Sequence, residues 1–140
     1  MKIAFLFITI FLLTSCERKE NGTDTGQLPL LKTEWILSSI QDTKTNAVTI
    51  FPSNVKSESI IFTDSLNALI IKGVCNGCSG SYSIRDTSIS TSGMSCTMIY
   101  CSKWEDYLFY NLGGTFQYKI NNNQLTIYSK GTYNLNFISK

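Results

Sequence analysis

Residues 115–137 read TFQYKINNNQLTIYSKGTYNLNF, and the alternation in this stretch decides the fold. Phe116, Tyr118 and Ile120 alternate with Thr115, Gln117 and Lys119, and Leu125 and Ile127 repeat the pattern. Tyr133, Leu135 and Phe137 complete it. Successive side chains of an extended strand point to opposite faces, so a period of two gives one apolar and one polar face. Asn121-Asn122-Asn123 separates the first two runs and tolerates the left-handed backbone of a tight turn. Lys130-Gly131 turns the chain again. Three strands joined so closely predict an antiparallel meander with one buried face.

The same period extends toward the N-terminus. Residues 34–39 (EWILSS) open the pattern after Pro29, and residues 59–62 and 68–71 flank Asp64-Ser65-Leu66-Asn67 as a hairpin would. Residues 81–84 and 88–90 sit on either side of a turn at Arg85-Asp86-Thr87. One segment departs from it. Ser102-Lys103-Trp104-Glu105 has the form of a capping box, with Ser at the N-cap and Glu at N3. Trp104, Leu108 and Leu112, joined by Tyr107, then fall on one helical stripe, and Gly113-Gly114 supplies the stop. The predicted class is therefore mainly β, made α+β by one helix over residues 102–112. It is a single compact domain of antiparallel sheet with that helix packed across it.

Upstream of the domain the sequence changes character. Lys2 precedes residues 3–13 (IAFLFITIFLL), an apolar run of signal-peptide length that is too short to span a bilayer of about 30 Å. Leu13-Thr14-Ser15-Cys16 follows at once and resembles a lipobox, in which cleavage precedes a lipid-modified cysteine. Residues 1–15 are read as a lipoprotein signal peptide, with Cys16 as the lipidation site. Residues 16–27 form the lipidated N-terminus and a polar tether, and residues 28–140 the folded domain. Acyl chains on Cys16 exceed what stable anchoring needs. Glu17, in place of Asp, points to the outer membrane by resemblance to the sorting rule of enteric bacteria. The expected address is the cell envelope, lipid-anchored, with the face of the membrane left open.

Composition narrows the function. The chain carries a formal net charge of +2 and no block of basic residues, so nucleic-acid binding has no electrostatic footprint. Histidine is absent, which removes the commonest general base, nucleophile activator and metal ligand together. The adjacent acids Glu105 and Asp106 are read as helix surface.

Cys75, Cys78, Cys96 and Cys101 form the one strong constellation. Their spacing, C-x2-C-x17-C-x4-C, is close to that of a zinc ribbon, but the second knuckle is too wide. Export to an oxidising compartment favours two disulfides over a four-thiolate metal site. A redox role for Cys75-Asn76-Gly77-Cys78 lacks the following helix that lowers such a thiol's pKa. Three pairings stay open. Parity leans toward Cys75–Cys101 and Cys78–Cys96, since each close pair would point to opposite faces of an extended segment.

These residues together resemble the META domain family, which includes HslJ-like bacterial lipoproteins. The likeness rests on Trp35, on Gly73-Val74-Cys75-Asn76 with Ser79-Gly80 and Tyr82, and on Thr97 four residues before Cys101. Glu105 opening a helix and the apolar final strand complete it. It covers about residues 31–138. The resemblance implies that the family cysteines are Cys75 and Cys101, whereas Cys78 and Cys96 are an extra pair. Ile99 stands where the family often has Met. The family is linked to stress tolerance, antibiotic resistance and virulence and implies little chemistry.

Asn76 and Asn121–Asn123 are read as turn formers, and Trp35 and Trp104 as core. The polar strand face of Thr115, Gln117, Lys119, Asn134 and Asn136 is the candidate contact surface. Asp64-Ser65-Leu66 matches a short bacterial O-glycosylation pattern. The expected function is that of a non-enzymatic envelope lipoprotein in stress tolerance or partner-protein interaction, without catalytic residues, cofactor or metal. Its expected partners are the membrane, through the lipid, and an envelope protein; nucleic acid is excluded and a monomer expected. The alternatives are a glycan or small-molecule binding module and a four-cysteine metal or redox site.

Overall fold

Nearly every run with a period of two forms a strand. The computed structural model describes residues 29–100 and 102–140. In chain order the elements are β1 (Glu34–Asp42), β2 (Val48–Ile50), β3 (Ser59–Phe62), β4 (Ala68–Lys72), β5 (Gly77–Arg85) and β6 (Ser88–Cys96). There follow α1 (Lys103–Asn111), β7 (Thr115–Asn121), β8 (Gln124–Tyr128) and β9 (Tyr133–Ser139). The sheet order is β2-β1-β3-β4-β5-β6-β7-β8-β9. β1 carries β2 and β3 along one edge and β9 along the other, all antiparallel. Eight strands, β1 and β3 to β9, therefore close into an antiparallel barrel, and the short β2 lies against the far half of β1. Closure removes the free edges an open meander would expose.

The buried face of the meander is the barrel interior. Trp35, Leu37, Ile60, Phe62, Leu69, Ile71, Ile89, Phe116, Leu125, Ile127, Leu135 and Phe137 are all buried there. The Trp35 indole N–H donates to the Leu30 carbonyl oxygen at 3.2 Å, so this ring is core with its polar edge satisfied. Asn122-Asn123 is the two-residue turn between β7 and β8, with Asn122 at φ 53° as the turn chemistry requires.

Two features differ from the sequence reading. β5 and β6 are nine residues each, extending well beyond residues 81–84 and 88–90. Their extra length is rich in Ser and Gly, which carry little strand signal, and it is held by pairing, with a bulge where Gly93 (φ +61°) and Met94 face Gly80. A Cβ on Gly80 would approach the Ser92 carbonyl oxygen to 2.9 Å, so only glycine admits the bulge there. β2 has no buried residue, and so no alternation from which to read it.

α1 closes one end of this barrel. Ser102 is its N-cap and accepts the Trp104 N–H at 3.1 Å. Trp104, Leu108 and the C-cap Leu112 are buried as one stripe. The helix is fastened at its C-terminal end. Asn111 accepts the Ser129 hydroxyl at 2.8 Å from the β8–β9 turn, and the Thr91 hydroxyl donates to the Leu112 carbonyl at 2.7 Å. Tyr107 stacks edge-on with Tyr133 of β9, and Trp104 packs on Phe51 after β2.

Leu108→Ala is expected to cost about 2–5 kcal/mol, because it leaves a cavity between helix and barrel. Leu66→Ala, in the exposed β3–β4 turn, should change stability by less than about 0.5 kcal/mol. Urea unfolding midpoints of the two variants check the difference, and equal midpoints would refute the helix–barrel packing.

Candidate functional site

The β4–β5 turn comprises residues 73–76, between the paired Lys72 and Gly77. The Gly73 N–H donates to the Asn76 carbonyl oxygen at 2.7 Å and tightens it. Glu105, in the first turn of α1, inserts its carboxylate into this turn. Oε1 accepts the N–H groups of Cys75 at 2.6 Å and Asn76 at 2.9 Å, and Oε2 accepts the Asn76 side-chain amide at 2.6 Å. A Cβ on Gly73 would come within 2.8 Å of the Glu105 Cγ and Cδ, which is why glycine stands there. Glu105 is 2% exposed, so its reading as helix surface is corrected; Asp106 beside it is half-buried. The physical reason is the ring of donors, since a buried carboxylate is tolerated when N–H dipoles converge on it. Burial alone would raise its pKa. The backbone N–H groups of Asn76, Cys75 and Val74 with the Asn76 amide outweigh that and hold it below the ordinary glutamate value.

Asn76 occupies the turn as expected, but its side chain does more than shape it. Its Oδ1 accepts the Ile99 N–H at 2.8 Å and its Nδ2 donates to the Ile99 carbonyl at 2.6 Å. Thr97 is tied to Gly77 by its N–H at 3.0 Å and its hydroxyl at 3.1 Å. Directly before it, Cys96 is disulfide-bonded to its cross-strand partner Cys78. The segment 97–100 is thus fixed through its backbone, while Met98, Ile99 and Tyr100 are 87%, 66% and 86% exposed. Between this segment and the first turns of α1 lies a cleft of about 250 Å³. Thr97, Met98, Ile99 and Tyr100 line it from the segment, Ser102, Glu105, Asp106 and Phe109 from the helix, and Asn76 from the β4–β5 turn.

Glu58 lies against Ser102, at the start of α1. It is fully buried, and its Oε1 accepts the Ser102 hydroxyl at 3.4 Å. Its Oε2 has no hydrogen-bond partner among the described residues. Burial pushes its pKa up to about 7, and the negative charges of Glu105 and Asp106 add to the rise against a small lowering by Ser102.

The predicted site residues distribute as follows. Cys78 and Cys96 form the expected bond, which removes two sulfurs from any four-thiolate metal or Cys75–Cys78 redox centre. Cys75 is also disulfide-bonded and adjoins the Glu105 cage; its expected partner Cys101 lies outside the described residues, as does the lipidation site Cys16. Ser65 is exposed in its turn. On the polar strand face, Thr115 bonds Ser90, and Asn136 bonds Thr126 and Ser39. Much of that face is therefore occupied by cross-strand pairs. Glu58, the insertion of Glu105 into the β4–β5 turn and the exposed triplet Met98-Ile99-Tyr100 were not identified from the sequence.

The META domain model matches residues 28–140 of the chain. The fold is similar to an NMR structure of a protein from Burkholderia xenovorans, with a TM-score of 0.63 at 17% identity, over 79% of this chain and 83% of that one. A second NMR structure is similar with a TM-score of 0.57 at 16% identity, over 76% of this chain and 87% of the other. No curated relative matches the chain.

Glu58 sets a pH dependence. An acid whose pKa is raised on folding, here from 4.5 to about 7, holds its proton in the folded state through that interval. The contribution of this group to stability is then greatest below pH 4.5 and falls as pH rises toward about 7. Glu58→Gln removes the penalty. It is expected to be more stable than the wild type at pH 8 by about 3 kcal/mol, with the advantage shrinking to nothing toward pH 4.5. Urea titrations of both proteins across this range check it, and parallel curves would contradict it.

Proposed function

This chain belongs to the META domain family, and from that premise we propose that it is a non-enzymatic, lipid-anchored lipoprotein of the cell envelope that acts by docking a partner protein, in the service of envelope stress tolerance. The observation that carries the docking reading is the segment 97–100. Three large apolar side chains stand in water on a backbone held by Asn76, Thr97 and the Cys78–Cys96 bond. Contiguous exposed apolar surface of this kind marks interaction sites, and rigidity lowers the ordering cost of binding.

Other observations support the remaining parts. The apolar run ending at Cys16 supports lipidation, and a disulfide accords with an oxidising compartment. The absence of histidine, the Glu105 carboxylate engaged by backbone donors and the solvent-inaccessible Glu58 support a non-enzymatic role. A glycan-binding reading draws on a shallow hollow beside Gln117 and the half-exposed Tyr128. That hollow offers one exposed aromatic ring, against the three apolar side chains of the segment 97–100.

Metabolic labelling with an alkyne fatty acid in a bacterial host tests the anchoring. The wild type is expected to be labelled and to sediment with membranes, and Cys16→Ala to lose both properties. A photo-crosslinking residue at Tyr100 should give discrete adducts that the same residue at Lys119 does not. Membrane association that survives Cys16→Ala, or equal adducts at both positions, would overturn the reading.

A further inference from the structure

The cleft beside the segment 97–100 has an asymmetric chemistry. The segment side presents Met98, Ile99 and Tyr100; the helix side carries Glu105 and Asp106, and no lysine or arginine is among the lining residues. Asp106 takes part in none of the ion pairs among the described residues, which lie at Glu34 and Asp64. The cation nearest it in sequence, Lys103, is exposed and outside the lining. A carboxylate in a cleft lined also by Tyr100 and Phe109 suits a cation with an apolar neighbour, since ring faces also attract cations. The backbone of Ile99 has both its N–H and its carbonyl taken by Asn76. That edge of the segment is closed to an added strand, and Met98, Ile99 and Tyr100 offer a partner their exposed side chains.

We propose that this cleft docks a partner polypeptide segment that sets a Lys or Arg side chain beside Asp106 and an apolar side chain against Met98, Ile99 and Tyr100. The inference rests on the partner-docking reading above and names the chemistry of the partner. Charge decides between a peptide and a bilayer: the Asp106 carboxylate at the cleft opposes anionic headgroups, whereas it attracts a basic peptide.

The test is an NMR titration of the isotope-labelled full chain with an octapeptide of alternating Lys and Leu. Two control peptides replace Lys by Glu or Leu by Ser, and vesicles of phosphatidylcholine with phosphatidylglycerol form a separate arm. Saturable binding is expected, with shifts concentrated over residues 97–109 and each control peptide weaker by on the order of tenfold or more. Asp106→Lys and Tyr100→Ser, both at solvent-accessible positions and checked for wild-type circular dichroism, should each weaken the Lys–Leu peptide to a similar degree. Equal binding of the Glu–Leu peptide, shifts centred elsewhere, indifference to both variants, or vesicle binding stronger than peptide binding would each overturn the proposal. Loss of lipidation in the Cys16→Ala experiment would leave this titration unaffected. Discrete crosslinks at Tyr100 together with a failed titration would leave partner docking standing and overturn the Lys–Leu chemistry, so the two readings fail separately.

Discussion

The Glu105 carboxylate, held by the β4–β5 turn, is the interaction on which the closed end of the barrel depends. A carboxylate removed from water is costly unless charge-assisted hydrogen bonds replace its hydration. Cys75 and Asn76 provide three such bonds from one short turn, and Gly73 leaves the space. The exchange works in both directions. The N–H groups of Cys75 and Asn76 have no sheet partners of their own, and without Glu105 that of the buried Asn76 would be left unsatisfied. Helix and turn therefore specify each other.

From that contact the order spreads along covalent and hydrogen-bonded links. Asn76 passes it to Ile99, and Thr97 and the Cys78–Cys96 bond hold the strand end that leads there. Asn111 and Thr91 fasten the other end of α1. Close to Glu105 the same design places a second acid, Glu58, in a site that does not satisfy it. Its raised pKa is the consequence of burial beside like charges. A fully optimised core would hold an apolar residue there, so this position trades stability for a protonation equilibrium near neutrality.

The barrel strands were legible because alternation is a local signal. Phe116, Leu125, Ile127, Leu135 and Phe137 are buried where their period placed them, and the α1 stripe of Trp104, Leu108 and Leu112 likewise. Closure was not legible, since the β1–β9 pairing joins residues about a hundred positions apart and leaves no mark on either strand alone. Nor was the burial of Glu105. A Glu at N3 after a Ser N-cap reads as a capping box, and only the tertiary approach of the β4–β5 turn gives its carboxylate other donors. Asn76 was placed in the correct turn, yet its reach to Ile99 depends on how β5 and β6 register. Met98, Ile99 and Tyr100 would be assigned to a core by hydrophobicity, and it is the fixed backbone of their segment that turns them to water.

A surface of this kind is useful only while its support is rigid, and that support begins at the Glu105 cage. The most direct measurement is native-state hydrogen exchange at the Cys75 and Asn76 amides, in the wild type and in Glu105→Gln. In the wild type both amides are predicted to exchange as slowly as core-strand amides such as Leu125. In Glu105→Gln they should exchange about a hundredfold faster, while the amides of β7 to β9 change little. Wild-type amides that exchange as fast as those of an exposed turn, or a Glu105→Gln protein with unchanged protection at both positions, would contradict it.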